Sequence, residues 1–448
     1  YLAAVRKERE RVREAWNEAL ADISARRKLL LKKDRLEKGS YETSLAEARL
    51  KLCFDLAEAE FIRTLRSSAF LDAQREMIRS AALVWAELPE PVREGLRLQR
   101  AGLRAAGQTL DSLGLNSIKI AQTPKEVVWK SGKITLSRYH PMGPRSQDLS
   151  PILICHGLIG RQTMTDLRPD RSLVRNLLAS GVDVFVLDWG SAGPEESHLG
   201  MDYFLGRIIP DAVSATCRVA NRPKVTLFGI CQGGTMTACH AARSSDELDG
   251  LILAVAPIDF HADGQDADPA HGLLHVWLRA LEDSDIEALI GMDGNLSGEL
   301  MGLLFNQLNP VRSLAKYAIE LLETATDPAA LTMFLAMEKW LADRPDLPGA
   351  MARTWLIELY KRNDLVSGSF KVSGDVVDLG KIDVPVLNIF ASGDHIIPPP
   401  CSRALGRILT NAPYQEVALP TGHIGAFVSA RAQTLLAPSI VSWLHTKT

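Results

Sequence analysis

Lys224 to Thr237, KVTLFGICQGGTMT, constrains this chain more than any other stretch. Val225, Thr226, Leu227 and Phe228 form a short apolar run, β-branched in part, of the kind buried strands use. The run meets Gly229-Ile230-Cys231-Gln232-Gly233-Gly234 and then a helix-compatible stretch from Thr235 to Ala242. A nucleophile on a sharp turn from strand to helix needs neighbours two positions away with almost no side chain. Gly229 and Gly233 stand at those positions. The same turn aims the Gln232 N–H and the following helix's N-terminus at a reacting oxygen, and the helix dipole favours a thiolate. With 32 glycines and 6 cysteines in 448 residues, G-x-C-x-G should arise by chance only ~0.03 times in such a chain. The stretch is therefore read as a catalytic turn, with Cys231 as nucleophile, rather than as a buried structural thiol.

Two downstream loops complete that chemistry. Val386 to Phe390 reads as a strand running into Ser392-Gly393-Asp394-His395, and Glu416 to Leu419 as a strand running into Pro420-Thr421-Gly422-His423-Ile424-Gly425. The chain order Cys231, Asp394, His423 is the nucleophile–acid–base order of α/β-hydrolases. A free thiol is mostly protonated at neutral pH, and a paired imidazole makes the thiolate. Asp394 would fix the His423 tautomer and stabilise the imidazolium. After the strand Pro151 to Cys155 comes His156-Gly157, where this fold supplies a second oxyanion donor. The expected oxyanion hole is the backbone N–H of Gln232 with that of Leu158. Asp188-Trp189-Gly190, ending a strand at the same face, is read as a turn that anchors the sheet.

Composition excludes other classes. The chain is 46% hydrophobic and 23% charged with a net charge of -3, which gives no reason to expect a nucleic-acid partner. No apolar run approaches the ~18 residues of a spanning helix, so no transmembrane segment is expected. No G-x-G-x-x-G, phosphate loop or metal-spaced His/Cys cluster occurs, so neither cofactor nor metal is expected. The first residues are charged from Arg6 onward without the apolar core of a signal peptide, and the six cysteines are scattered. This reads as a cytoplasmic protein with reduced thiols.

The predicted fold class is α/β: an α/β-hydrolase fold with a mostly parallel sheet, helices on both faces and an inserted helical cap, preceded by an all-helical N-terminal region. Residues 1–115 form that helical arm. Val12, Trp16, Ala19 and Ile23 make one apolar stripe and Leu45 to Trp85 another. Residues 1–38 carry twelve Lys/Arg against seven Asp/Glu, a local +5, read as a solvated face. Residues 116–448 form the catalytic domain. It opens with a hairpin, Glu126 to Trp129 and Ile134 to Tyr139, followed by alternating strand and helix signals. Pro257 to about Phe370 breaks the alternation with helices over His271–Ile290, Gly298–Asn306, Pro310–Thr324, Pro328–Leu341 and Gly349–Lys361. This insertion, about 257–370, is the expected cap.

These residues resemble the polyhydroxyalkanoate synthase family, most closely its class III catalytic subunit. The resemblance runs from about Thr123 to the C-terminus. It is carried by TPKEVVW, DRSLVRNLLASGVDVFVLDWG, the lipase-like box GICQGG, PIDF, MEKW, VPVLNIFASGDHIIPP and PTGHIG. It implies (R)-3-hydroxyacyl-CoA as substrate, CoA as a product, Cys231 as acyl carrier, His423 as base with Asp394 as its partner, and a granule-bound polyester. A homodimer on the granule surface is expected. One departure is Cys155-His156-Gly157, where the family usually has an apolar Tyr-Ala or similar. Ser44 to Trp85 resembles the C-terminal helices of that class's separate accessory subunit, which suggests a built-in activator. The competing readings are a Cys231 hydrolase, such as a polyester depolymerase or thioesterase, and a granule-associated structural protein.

Overall fold

The computed structural model describes residues 118–262, 273–290, 294–307 and 327–447. The arm expected over residues 1–115, and the helix expected from Pro310 to Thr324, lie outside them. Eight strands make one sheet: β1 (Lys125–Ser131), β2 (Ile134–Tyr139), β3 (Ile152–Cys155), β4 (Val184–Asp188), β5 (Val225–Ile230), β6 (Leu248–Ala254), β7 (Val386–Ala391) and β8 (Tyr414–Leu419). Their spatial order is β1-β2-β4-β3-β5-β6-β7-β8. The β1–β2 hairpin and the β2–β4 pair are antiparallel, and every later pair is parallel. Gly132, at φ +58°, makes the hairpin turn.

The central strands read as unbroken apolar runs because both faces of the sheet are covered. The helices that accompany it among the described residues include α1 (Leu173–Ala179), α2 (Ile209–Ala220), α3 (Gln232–Arg243), α4 (Leu273–Ala280), α5 (Asp283–Ile290), α6 (Gly298–Gln307), α7 (Pro328–Ala342), α8 (Gly349–Arg353) and α9 (Ala430–Thr446). Ile152, Ile154, Phe228, Ile230 and Leu387 pack with Leu177 of α1 and Leu436, Ile440 and Trp443 of α9. Their alternates Leu153, Cys155, Phe185, Leu187 and Leu227 join a second core with Val213 of α2 and Met236 of α3. That second core extends into the helices between β6 and β7 through Ile286, Met351, Trp355 and Leu359.

Helical stretches are interrupted locally. The predicted helix over His271–Ile290 is two helices, α4 and α5. Asp285, fully buried, accepts the Glu282 N–H at 2.8 Å and starts a new helix there. The helical run into α2 contains a wide π-helical turn, Phe204–Ile208. Pro210 lacks the N–H that would bond four residues back, and its ring crowds the Gly206 carbonyl, so the turn widens. Among the described residues no helix is long and apolar enough to cross a membrane.

Candidate active site

Cys231 sits between β5 and the first residue of α3, with φ +53° and ψ −124°. A residue with a side chain holds such a conformation only when its surroundings dictate it. Its N–H donates to the Ala254 carbonyl of β6 at 2.9 Å, and its own carbonyl accepts the Gly234 N–H at 2.8 Å. The surrounding glycines serve close approach rather than unusual dihedrals, since none of Gly229, Gly233 and Gly234 has a positive φ. A Cβ on Gly229 would run into Thr237, one on Gly233 into the Cys155 and His156 carbonyls, and one on Gly234 into Ala256. Only bare backbone lets α3 descend this far onto the sheet.

Asp394 follows β7 and His423 follows β8, two neighbouring parallel strands whose ends place both loops on one edge of the sheet. Ser392 donates its N–H to the Leu419 carbonyl at 2.8 Å and Gly393 to the Thr421 carbonyl at 3.0 Å, which laces the two loops together. Asp394 is fully buried. Its Oδ1 accepts the N–H groups of Ile396 and Ile397, each at 2.9 Å. Its Oδ2 lies 2.7 Å from His423 Nδ1. A carboxylate only accepts, so Nδ1 carries the proton and Nε2 is the nitrogen left for a partner. Burial pushes the His423 pKa down, but Asp394 and then Cys231, each as a nearby charge and as a hydrogen-bond partner, hold it well above the ordinary value. Cys231, Asp394 and His423, three residues singled out in the sequence, thus converge on one ring.

The loop after β3 lies against this elbow. A Cβ on Gly157 would sit 3.4 Å from Cys231 Cβ and 3.7 Å from the Gln232 nitrogen. Gln232 opens α3, where backbone N–H groups have no intrahelical acceptor. Leu158 is less simple than the sequence suggests: its N–H donates to Gln232 Oε1 at 3.1 Å. Behind the loop, His156 is buried and its pKa is pushed down to about 4, chiefly by burial. Its Nδ1 contacts the Gly157 carbonyl at 2.5 Å, while Nε2 has no hydrogen-bond partner among the described residues. Trp189 Nε1 donates to the His156 carbonyl at 2.8 Å. Asp188 accepts from Gln162 Nε2 at 2.6 Å and from the Gly190 N–H at 3.0 Å. Asp188-Trp189-Gly190, read in the sequence as a turn that anchors the sheet, is thus tied to the loop after β3.

Sequence reading missed three neighbours. Trp340 of α7 donates its indole N–H to the Arg161 carbonyl at 3.0 Å, and its ring lies against Gly160. Its only advance signal was its place in the block MEKW. Tyr360, on the π-helical segment Thr354–Lys361 that continues α8, is buried, and burial followed by the nearby Cys231, Cys401 and Asp394 holds its phenol well above the ordinary pKa. π-Helical turns recur at functional sites, but nothing in the sequence distinguishes this one from an ordinary helix. The third is the Gln232 side chain. Gln232 and Tyr360 share an otherwise largely apolar cavity of about 90 Å³, lined also by Ile159, Trp277, Leu347 and Trp355. Among the described residues no group of His, Cys, Asp and Glu is arranged to hold a metal ion.

Known proteins resemble this chain. The alpha/beta hydrolase fold family matches residues 150–430. The poly(3-hydroxyalkanoate) polymerase subunit PhaC of Thiocystis violacea is 34% identical over 340 residues, covering 76% of this chain and 93% of that protein. The PhaC subunit of Allochromatium vinosum is 35% identical over 344 residues, covering 76% and 94%. Among solved structures, the monoacylglycerol lipase of Paleococcus ferrophilus is 15% identical with a TM-score of 0.40, covering 71% of this chain and all of that one.

Proposed function

This chain belongs to the poly(3-hydroxyalkanoate) polymerase subunit family of the alpha/beta hydrolase fold, and we propose that it joins (R)-3-hydroxyacyl groups from CoA thioesters into a polyester through Cys231. The observation that carries the residue assignment is the relay from Asp394 to His423 at 2.7 Å beside a cysteine held at φ +53°. In this reading the Cys231 thiol gives its proton to His423 Nε2. The sulfur attacks the thioester carbonyl, the carbon–sulfur bond to CoA breaks, and the CoA thiolate takes the proton. Asp394 stabilises the imidazolium between these transfers. The oxyanion is met by the backbone N–H of Gln232 and, when it is released, that of Leu158. One thioester replaces another, so the acyl group stays activated.

In elongation the 3-hydroxyl of another acyl group attacks the Cys231 thioester. The hydroxyl proton passes to His423, the carbon–oxygen bond of an ester forms, and Cys231 leaves and recovers the proton. Each step uses protein groups alone, with CoA as product rather than cofactor. The helices between β6 and β7 act as a cap that keeps water from the acyl-enzyme and admits substrate on opening. By likeness to its family, the enzyme works as a homodimer at the surface of a cytoplasmic polyester granule; sedimentation of the purified chain and fractionation of polymer-loaded cells test both points.

One observation favours a second reading. His156-Gly157 gives the loop after β3 the look of an ordinary hydrolase, in which water, not a hydroxyl, would take the acyl group. An assay with 3-hydroxybutyryl-CoA separates the two. Polymerisation releases CoA together with growing turbidity from insoluble polymer, whereas CoA release with soluble 3-hydroxybutyrate and no turbidity would overturn the synthase assignment.

A further inference from the structure

Gln232 contributes more to the site than its backbone. Leu158 offers one of the two N–H groups expected to hold the oxyanion, and that N–H is already bonded to Gln232 Oε1 at 3.1 Å. The contact is buried, and Gln232 is only 3% exposed. A single N–H proton aligned on one acceptor is not available to a second acceptor at full strength. We infer that Gln232 is a positioning residue: its carboxamide oxygen stands in for the substrate's acyl carbonyl on the Leu158 N–H of the free enzyme, and acylation displaces it. This rests on Cys231 being the nucleophile.

Three features support the exchange. A Cβ on Gly157 would lie only 3.4 Å from Cys231 Cβ and 3.7 Å from the Gln232 nitrogen, so the amide that Gln232 occupies follows a residue that borders the elbow. A buried N–H left without an acceptor is costly, and the Leu158 N–H is buried where it meets Gln232. The resting site therefore needs an internal acceptor, and an N1 side chain of α3 is within reach. Finally, Gln232 lines the 90 Å³ cavity, which gives the displaced carboxamide room to turn. Acylation then trades one carbonyl acceptor for another.

Gln232→Met keeps similar length and bulk but has no carboxamide acceptor; Gln232→Glu has a stronger, charged one. For each, the CoA burst of a single turnover with 3-hydroxybutyryl-CoA is compared with alkylation of Cys231 by iodoacetamide, a displacement that develops no oxyanion. The displaced bond is one neutral hydrogen bond, so Gln232→Met should acylate about 2- to 10-fold faster. It should alkylate at the native rate. Gln232→Glu should acylate at least tenfold more slowly than the native enzyme. A methionine variant that alkylates normally but acylates no faster overturns the inference and makes Gln232 a brace for the loop. Equal changes in both rates overturn it too, because the thiol itself would then have changed. If the methionine variant does not fold, a glutamate variant that acylates at the native rate suffices to reject it. Failure of the underlying assignment looks different: the native enzyme and Cys231→Ala would give the same CoA burst.

Discussion

Cys231 holds a conformation that costs a residue with a side chain on the order of 1–3 kcal/mol, and bonds to Ala254 and Gly234 maintain it. The buried histidine of the loop after β3 illustrates a different cost. Burial keeps His156 neutral, with a pKa of about 4 against roughly 6.5 in an unfolded chain. Between those values the unfolded state binds more protons than the folded one. Stability is therefore full above pH ~6.5 and is lost as the pH falls toward 4. From pH 7 to pH 5 this residue should account for about 2 kcal/mol of that loss. His240, buried in α3 with a pKa also near 4, adds a similar share that a change at His156 leaves in place. His156→Gln should thus show a loss between pH 7 and pH 5 smaller by about 2 kcal/mol, read from urea unfolding at the two pH values. An unchanged pH dependence would mean that His156 is not held neutral.

At the scale of elements, the parts of the site that the sequence makes legible are those built from strand ends. Buried parallel strands are short apolar runs, so the strand expected over Val386 to Phe390 is found at Val386–Ala391 and the loop bearing Asp394 follows from it, while the half-exposed edge strand expected over Glu416 to Leu419 starts two residues earlier, at Tyr414, and still ends just before the loop bearing His423. Two features were hidden for physical reasons. The α4–α5 break depends on one buried carboxylate, Asp285, inside a pattern that is helical throughout. The Leu158–Gln232 bond joins residues 74 apart, and no periodicity marks it. The glycines of the elbow were legible as residues, yet their work is to let α3 approach β3 and β6, which only the packing reveals. Trp340 is a further tertiary feature, since it anchors α7 on the outer end of the Leu158–Arg161 loop. Trp340→Phe keeps a ring beside Gly160 and removes the indole bond, costing about 0.5–1.5 kcal/mol of stability. Its single-turnover CoA burst should nevertheless fall severalfold, because the oxyanion loop loses its outer support. A native burst in this variant would show that the inner bond from Trp189 to the His156 carbonyl holds the loop by itself.

For the whole molecule, one sheet joins the proposed nucleophile, acid and base. β5, β7 and β8 run parallel, so Cys231, Asp394 and His423 emerge at the same edge although 192 residues separate the first from the last. The helices between β6 and β7 add an apolar cavity beside that edge, suited to an acyl group and poorly suited to water. The central claim is that this chain carries its growing ester on Cys231. The most direct measurement is a pulse of radiolabelled 3-hydroxybutyryl-CoA, acid quench and peptide mapping, with a parallel chase of unlabelled substrate. The account predicts label on the peptide containing Cys231, released by hydroxylamine, moved into insoluble polymer by the chase, and absent in Cys231→Ala. A polymerising enzyme with no label on that peptide, or a chase that delivers the label to free 3-hydroxybutyrate, would contradict it.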